Sequence, residues 1–154
     1  MLWLFIVLRF VHVLCGILWF GSVMTLYLFN FPAQRKLDPE AVKMFMANFQ
    51  PRYRRVIIPV AGLTVLFGLV IGIVTFATSD PSVTYKATWA LSLVLGVLLI
   101  INGARVLGPT AASLATAPAS EQPAVFRRID ALGRRDLTGF GLLFACMIAM
   151  HFGY

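Results

Sequence analysis

Four apolar stretches, each long enough to cross a bilayer, decide what this chain can fold into. They run over about 2–31, 56–77, 87–107 and 137–154, and a hydrocarbon core takes about 20 helical residues to cross. Alternation of apolar and polar residues with a period of two is absent. In lipid only helices and closed barrels satisfy their own backbone groups, so the stretches read as helices. With 60% hydrophobic and 12% charged residues in 154, little is left over for a soluble domain. The expectation is one all-α domain over 1–154, an integral membrane four-helix bundle in contact with lipid. The first stretch is too long for the apolar core of a secretion signal and has no basic leader, so it reads as a spanning helix.

Charge sets the orientation. Arg35, Lys36, Lys43, Arg52, Arg54 and Arg55 lie between the first two stretches, and Arg127, Arg128, Arg134 and Arg135 lie between the last two, with Arg105 at the edge. Those are eleven basic residues on one side, against Lys86 alone in the short connection "TSDPSVTYK". Basic segments stay cytoplasmic, so both termini are expected outside (N-out/C-out), in the periplasm of a bacterium with the bundle in its inner membrane. The net charge of +7 then reflects topology and anionic headgroups, and no nucleic-acid partner is expected.

Each basic segment carries a pattern of its own. In "LDPEAVKMFMANFQPRYRR", Asp38, Pro39 and Glu40 form a helix start: an N-cap, a proline in the first turn and an acid at the positive end of the dipole. Phe45, Met46 and Phe49 follow at helical spacing, and Pro51 is expected to end this helix. In "AVFRRIDALG" a second short amphipathic helix is expected to close at Gly133. The chain thus reads as two similar halves with two short cytoplasmic amphipathic helices. All six acidic residues are expected in or bordering loops, which argues against an acidic proton relay. Gly68 and Gly72 in the second stretch, and Ser92, Gly96 and Gly103 in the third, form small-residue stripes that let helices approach closely. A planar cofactor is the alternative reading of those glycines.

The first stretch holds the candidate site. At 100° per residue Arg9, His12, Gly16, Trp19, Val23, Leu26 and Asn30 share one face. An arginine inside a span costs roughly 2.5–3.5 kcal/mol on insertion scales, so such a face turns toward protein. The other histidine, His151, sits near the end of the fourth stretch, on the same outer side. An imidazole in this setting is a ligand for a metal or haem iron, or a hydrogen-bonding residue. Cys15 and Cys146 lie within spans and read as buried thiols. Cys15, Met147 and Met150, near the histidines, raise copper(I) as an alternative, although Met150 is expected to point away from His151.

The run "VHVLCGILWFGS", with His12 seven residues before Trp19 and then Gly21 and Ser22, resembles the first helix of small membrane proteins related to copper-resistance protein D. That group includes the HemJ-type protoporphyrinogen oxidases and the membrane domain of some bacterial urate oxidases. "YRRVIIPVAGLTVLFGL" and "FRRIDALGRRDLTGFGLL" resemble the entries to their second and fourth helices. The resemblance implies a four-helix scaffold in which His12 ligates haem b. The HemJ-type enzymes also depend on a lysine within the membrane; here Lys86 is at a loop edge, so their oxidase reaction is not implied. Combined with the stripe, the expectation is a haem b protein of electron transfer or redox chemistry, a possible oxidoreductase component. His12 and His151 are the candidate axial ligands, Arg9 a partner for a propionate, Gly16 room for the macrocycle and Trp19 a ring against its edge. No catalytic residue is assigned. The partners expected are a second copy or a larger membrane redox complex. Copper(I) binding or transport, and a structural subunit of a respiratory or photosynthetic complex, are the two other readings.

Overall fold

The computed structural model describes residues 2–153, and all of the regular structure among them is helical. Helix α1 runs Leu2–Thr25, continues through a π-helical turn Leu26–Asn30 and ends with Phe31–Gln34. Helix α2 is Pro39–Thr78. Helix α3 is Val83–Asn102, followed by a second π-helical turn, Gly103–Leu107, then Gly108–Ala112 and a 3₁₀ turn Ser113–Ala115. Helix α4 is Gln122–His151. Tyr154, the expected end of the fourth span, lies outside the described residues.

Three of these helices, over Trp3–Gln34, Pro39–Thr78 and Val83–Ala115, are long and apolar enough to cross a membrane. The fourth differs from expectation. Its first half carries Arg127, Arg128, Asp130, Arg134, Arg135 and Asp136, and the apolar remainder, Leu137 to His151, extends about 22 Å at 1.5 Å per residue. That is short of a core of about 30 Å. Outward faces such as Phe10, Val13, Leu14, Ile17 and Leu18 of α1 are exposed, an apolar surface of the kind that lipid covers.

The two expected helix breaks do not occur. Asp38 caps α2 as expected, accepting from the Glu40 N–H, but the helix passes through Pro51 and Pro59 without interruption. Proline removes one hydrogen bond and crowds the carbonyl four residues back. Tertiary contacts hold the turns that lead into Pro51: Val42, Met46 and Gln50 are all buried, and the Gln50 amide donates to Gly108 O at 3.0 Å. Phe45 and Phe49 instead stack along the helix toward Tyr53. Likewise α4 passes through Gly133, because that glycine serves space rather than conformation: the Tyr27 ring stands where its Cβ would be. The helix ends instead at His151, and just beyond it Gly153, at a φ of +86°, takes the left-handed conformation that favours glycine. The expected short helices are thus the first turns of two long ones.

Both π turns precede a proline, Pro32 and Pro109. The carbonyls that an α-helix would press against those rings belong to Leu28 and Arg105, each inside the π turn. Widening the helix there removes the clash. It also resets the buried face. On α1 the buried positions from Trp19 onward are Trp19, Val23, Leu26 and then Phe31 and Gln34, so a five-residue step replaces the expected one to Asn30, which is half-buried.

Neighbouring helices run antiparallel. Trp19 meets Phe140 edge-on at 5.0 Å and Phe20 meets Phe144 at 4.6 Å, while Asn102 donates to Asp136 at 2.6 Å. One buried cluster joins Trp19, Val23, Ala61, Leu99 and Phe140 at mid-height. The other, at the end holding both basic segments, contains Met46, Leu114, Ile129 and Val42, the most completely buried large side chains.

Candidate functional site

The ends of all four helices remote from the basic segments surround a partly open cavity of about 270 Å³. It gathers residues from distant parts of the sequence: Arg9, His12 and Trp19 of α1, and Met147, Met150 and His151 of α4. Four of the five expected site residues, Arg9, His12, Trp19 and His151, therefore line one space. Gly16 does not; its position packs against Thr64 Cγ2, which a Cβ there would meet at 3.7 Å.

His12 is held from one side. Its Nδ1 lies 2.8 Å from the carbonyl oxygen of Thr64. A carbonyl only accepts, so Nδ1 carries the proton and Nε2 keeps its lone pair. Gly68, one turn along from Thr64, lets the imidazole approach α2 closely; a Cβ there would stand 3.0 Å from His12 Cε1. An imidazole whose Nδ1–H is fixed by a backbone carbonyl is the arrangement that orients Nε2 ligands toward metals. His151 is exposed, with its ring edge-on to Phe152 at 5.4 Å.

Arg9 is exposed and its guanidinium lies 4.5 Å from the Phe5 ring centre. The expected inward face therefore begins at His12, and Arg9 stands at the cavity's rim. Cys15 and Cys146 are buried thiols as expected, and neither lines the cavity. Met150, expected to point away from His151, lines the same space as His151 and Met147. No group of three or more His, Cys, Asp or Glu side chains comes together among the described residues.

The glycine stripe of α2 has a use that spacing alone does not reveal. Gly68 receives the ring of His12, and Gly72 receives the indole of Trp89, whose Nε1 donates to Gly68 O at 3.2 Å. Two rings of the chain itself fill the notch. Sequence reasoning missed Trp89, which closes the cavity from α3, and it placed Asp136 with the loop acids. Asp136 is inside α4 and only 4% exposed. The signal was present: Ile129, Gly133, Asp136 and Phe140 repeat at helical spacing, and all four are buried. No protein family, curated protein or solved structure matches this chain.

Proposed function

We propose that the chain is a four-helix membrane bundle that binds haem b in the outer cavity and passes electrons, with His12 as axial ligand. The observation that carries this reading is the Nδ1 contact of His12 to Thr64 O, which leaves Nε2 free in a cavity shared with His151 and Arg9. The residues fit the group in kind: an oriented imidazole, a second histidine, a guanidinium at the rim for a carboxylate and an apolar lining. Haem supplies one-electron chemistry when bound. Ligand pockets commonly measure about 300–1,000 Å³, so a cavity of about 270 Å³ encloses a macrocycle only in part. Lipid or a second copy of the chain covers the rest. Purified protein absorbs in the Soret region under this reading. Protein that stays colourless after incubation with haem overturns it.

Copper(I) is the second reading, favoured by the convergence of Met147, Met150, His12 and His151 on one space. Elemental analysis of the same preparation separates the two.

The orientation completes the proposal: a bacterial inner-membrane protein with both basic segments in the cytoplasm. The apolar part of α4 reaches across by drawing the outer surface inward around His151. Reporter fusions after Tyr154 and within 80–84 are expected to report the periplasm, and one near Ser120 the cytoplasm. A cytoplasmic C-terminus overturns the outer placement of both histidines.

Arg9 separates two roles. If its side chain reaches the headgroups as an anchor, Arg9→Lys and Arg9→Gln leave cofactor content and midpoint potential unchanged. If it forms a fork with a propionate, lysine does not restore the bidentate contact. Arg9→Gln then lowers the potential, because removing a positive charge favours the oxidised iron. The rim position favours the fork.

A further inference from the structure

A second cavity, about 60 Å³, lies on the inner side of Trp19, which lines both. It is bordered by both π turns and by Tyr27, Tyr53, Arg54 and Asp136. Asp136 accepts one hydrogen bond, from the Asn102 amide at 2.6 Å, and forms no ion pair among the described residues. A carboxylate has two oxygens and about four lone-pair sites, so a side chain this buried has acceptor capacity left over. The Tyr27 hydroxyl is also buried and has no hydrogen-bond partner among the described residues. Such groups in a folded protein call for water or a ligand. Water needs roughly 10–15 Å³ of room and two to four polar partners, and the cavity offers both for several molecules.

The groups around Asp136 are these. From α1 comes Tyr27, and from α2 come Tyr53, whose hydroxyl is 3.3 Å from Ser22 Oγ, and Arg54, whose Nη2 donates to Ala104 O at 3.3 Å. From α3 comes the neutral Asn102. On α4 itself Asp130 is engaged by Arg35. Arg54 is thus committed to a carbonyl that the π turn releases from ordinary helical bonding. Asp136 faces hydroxyls, an amide and room for water, the surroundings in which a carboxyl gains and loses a proton.

We propose that Asp136 is a proton-exchange site. Water in the inner cavity carries protons between Asp136 and the side holding both basic segments, and Trp19 closes the route to the outer cavity. The step is a proton transfer alone: water gives a proton to a carboxylate oxygen and later takes it back. It needs neither haem nor copper, so it stands or falls apart from the proposed cofactor.

The full-length protein in vesicles with a pH-sensitive dye inside tests the route. Wild-type vesicles hold a pH step. Trp19→Ala is expected to speed its decay at least tenfold, and adding Asp136→Asn to return the decay to the wild-type rate. No acceleration in a folded Trp19→Ala protein, or equal decay in the double variant, overturns the proposal. Infrared spectra of the unaltered chain and of Asp136→Asn test the site even if Trp19→Ala does not fold. A protonated-carboxyl band is expected that emerges reversibly on acidification, shifts in heavy water and is missing from the variant. Its absence from the wild-type protein also overturns the proposal.

Discussion

His12→Gly protein is expected to lose the Soret band completely, and free imidazole added at millimolar concentration is expected to restore it. The Thr64 carbonyl and Gly68 hold the native ring in one orientation, so a ligand that is merely present at the right place still lacks that support. Loss of an outer contact of this kind typically costs 10–100-fold in metal affinity, and loss of the ligand itself costs more. Imidazole rescue separates ligation from folding: a misfolded variant does not regain the band. If His12→Gly keeps full absorbance, the axial ligand is elsewhere, and His151 is the remaining histidine. For copper the same variant is read by metal content, with the methionines retaining a weaker site.

Gly133→Ala is expected to destabilise the protein by about 2 kcal/mol, against the direction that helix propensity alone gives. Alanine in a helix interior is about 1 kcal/mol more favourable than glycine. Here the added Cβ would overlap three atoms of the Tyr27 ring. Overpacking a buried site costs about 1–3 kcal/mol, occasionally more, and the overlap puts this site at the upper end. The ring has little freedom to retreat, since Tyr27 also lies against Phe31 at 5.8 Å. The double variant with Tyr27→Ala measures the coupling: its loss should fall short of the sum of the single losses by 0.5–3 kcal/mol. Unfolding followed by circular dichroism reads all three. A Gly133→Ala protein as stable as the wild type means that the Tyr27 ring moves freely.

Much of this arrangement is legible in the residues themselves. Apolar length announces the helices, and the single face of α1 from His12 to Leu26 follows from 100° per residue. That His12 and His151 line one cavity follows from antiparallel neighbours, because their sequence positions put both at the end remote from the basic segments. What the pattern does not show has local physical causes. A π turn shifts the buried step from Asn30 to Phe31, and no propensity signals it except the proline two residues beyond its end. Pro51 and Gly133 read as breaks because local preference is weak evidence against a buried contact, as Gln50 and Tyr27 show. Arg9 shares the angle of His12 but stands at the open rim, where an angle no longer decides burial. Asp136 went unrecognised because its neighbours Arg134 and Arg135 are basic and exposed, which makes the whole segment look solvated. The glycines of α2 mark a notch, but spacing does not tell what fills it.

The π turns make chain length itself part of the code. Each lets a helix take up one residue more than its rotation would otherwise allow, so that Leu26 and Phe31, five positions apart, fall in line. A deletion of one residue between Thr25 and Phe31 would remove that extra residue, and an ordinary helical turn would then leave Leu26 and Phe31 about 40° apart, on one face. Phe31 and Gln34 would keep their face, but Pro32 would be driven against a carbonyl it now avoids. The same holds beyond Gly103, where Gly108, Ala111 and Leu114 depend on the slip. In these two short windows substitutions are a question of side chains, whereas a single-residue gap is a question of where the proline ring can go. A shortened chain avoids that clash only where a second change, the loss of Pro32 or of Pro109, lets an ordinary helix close.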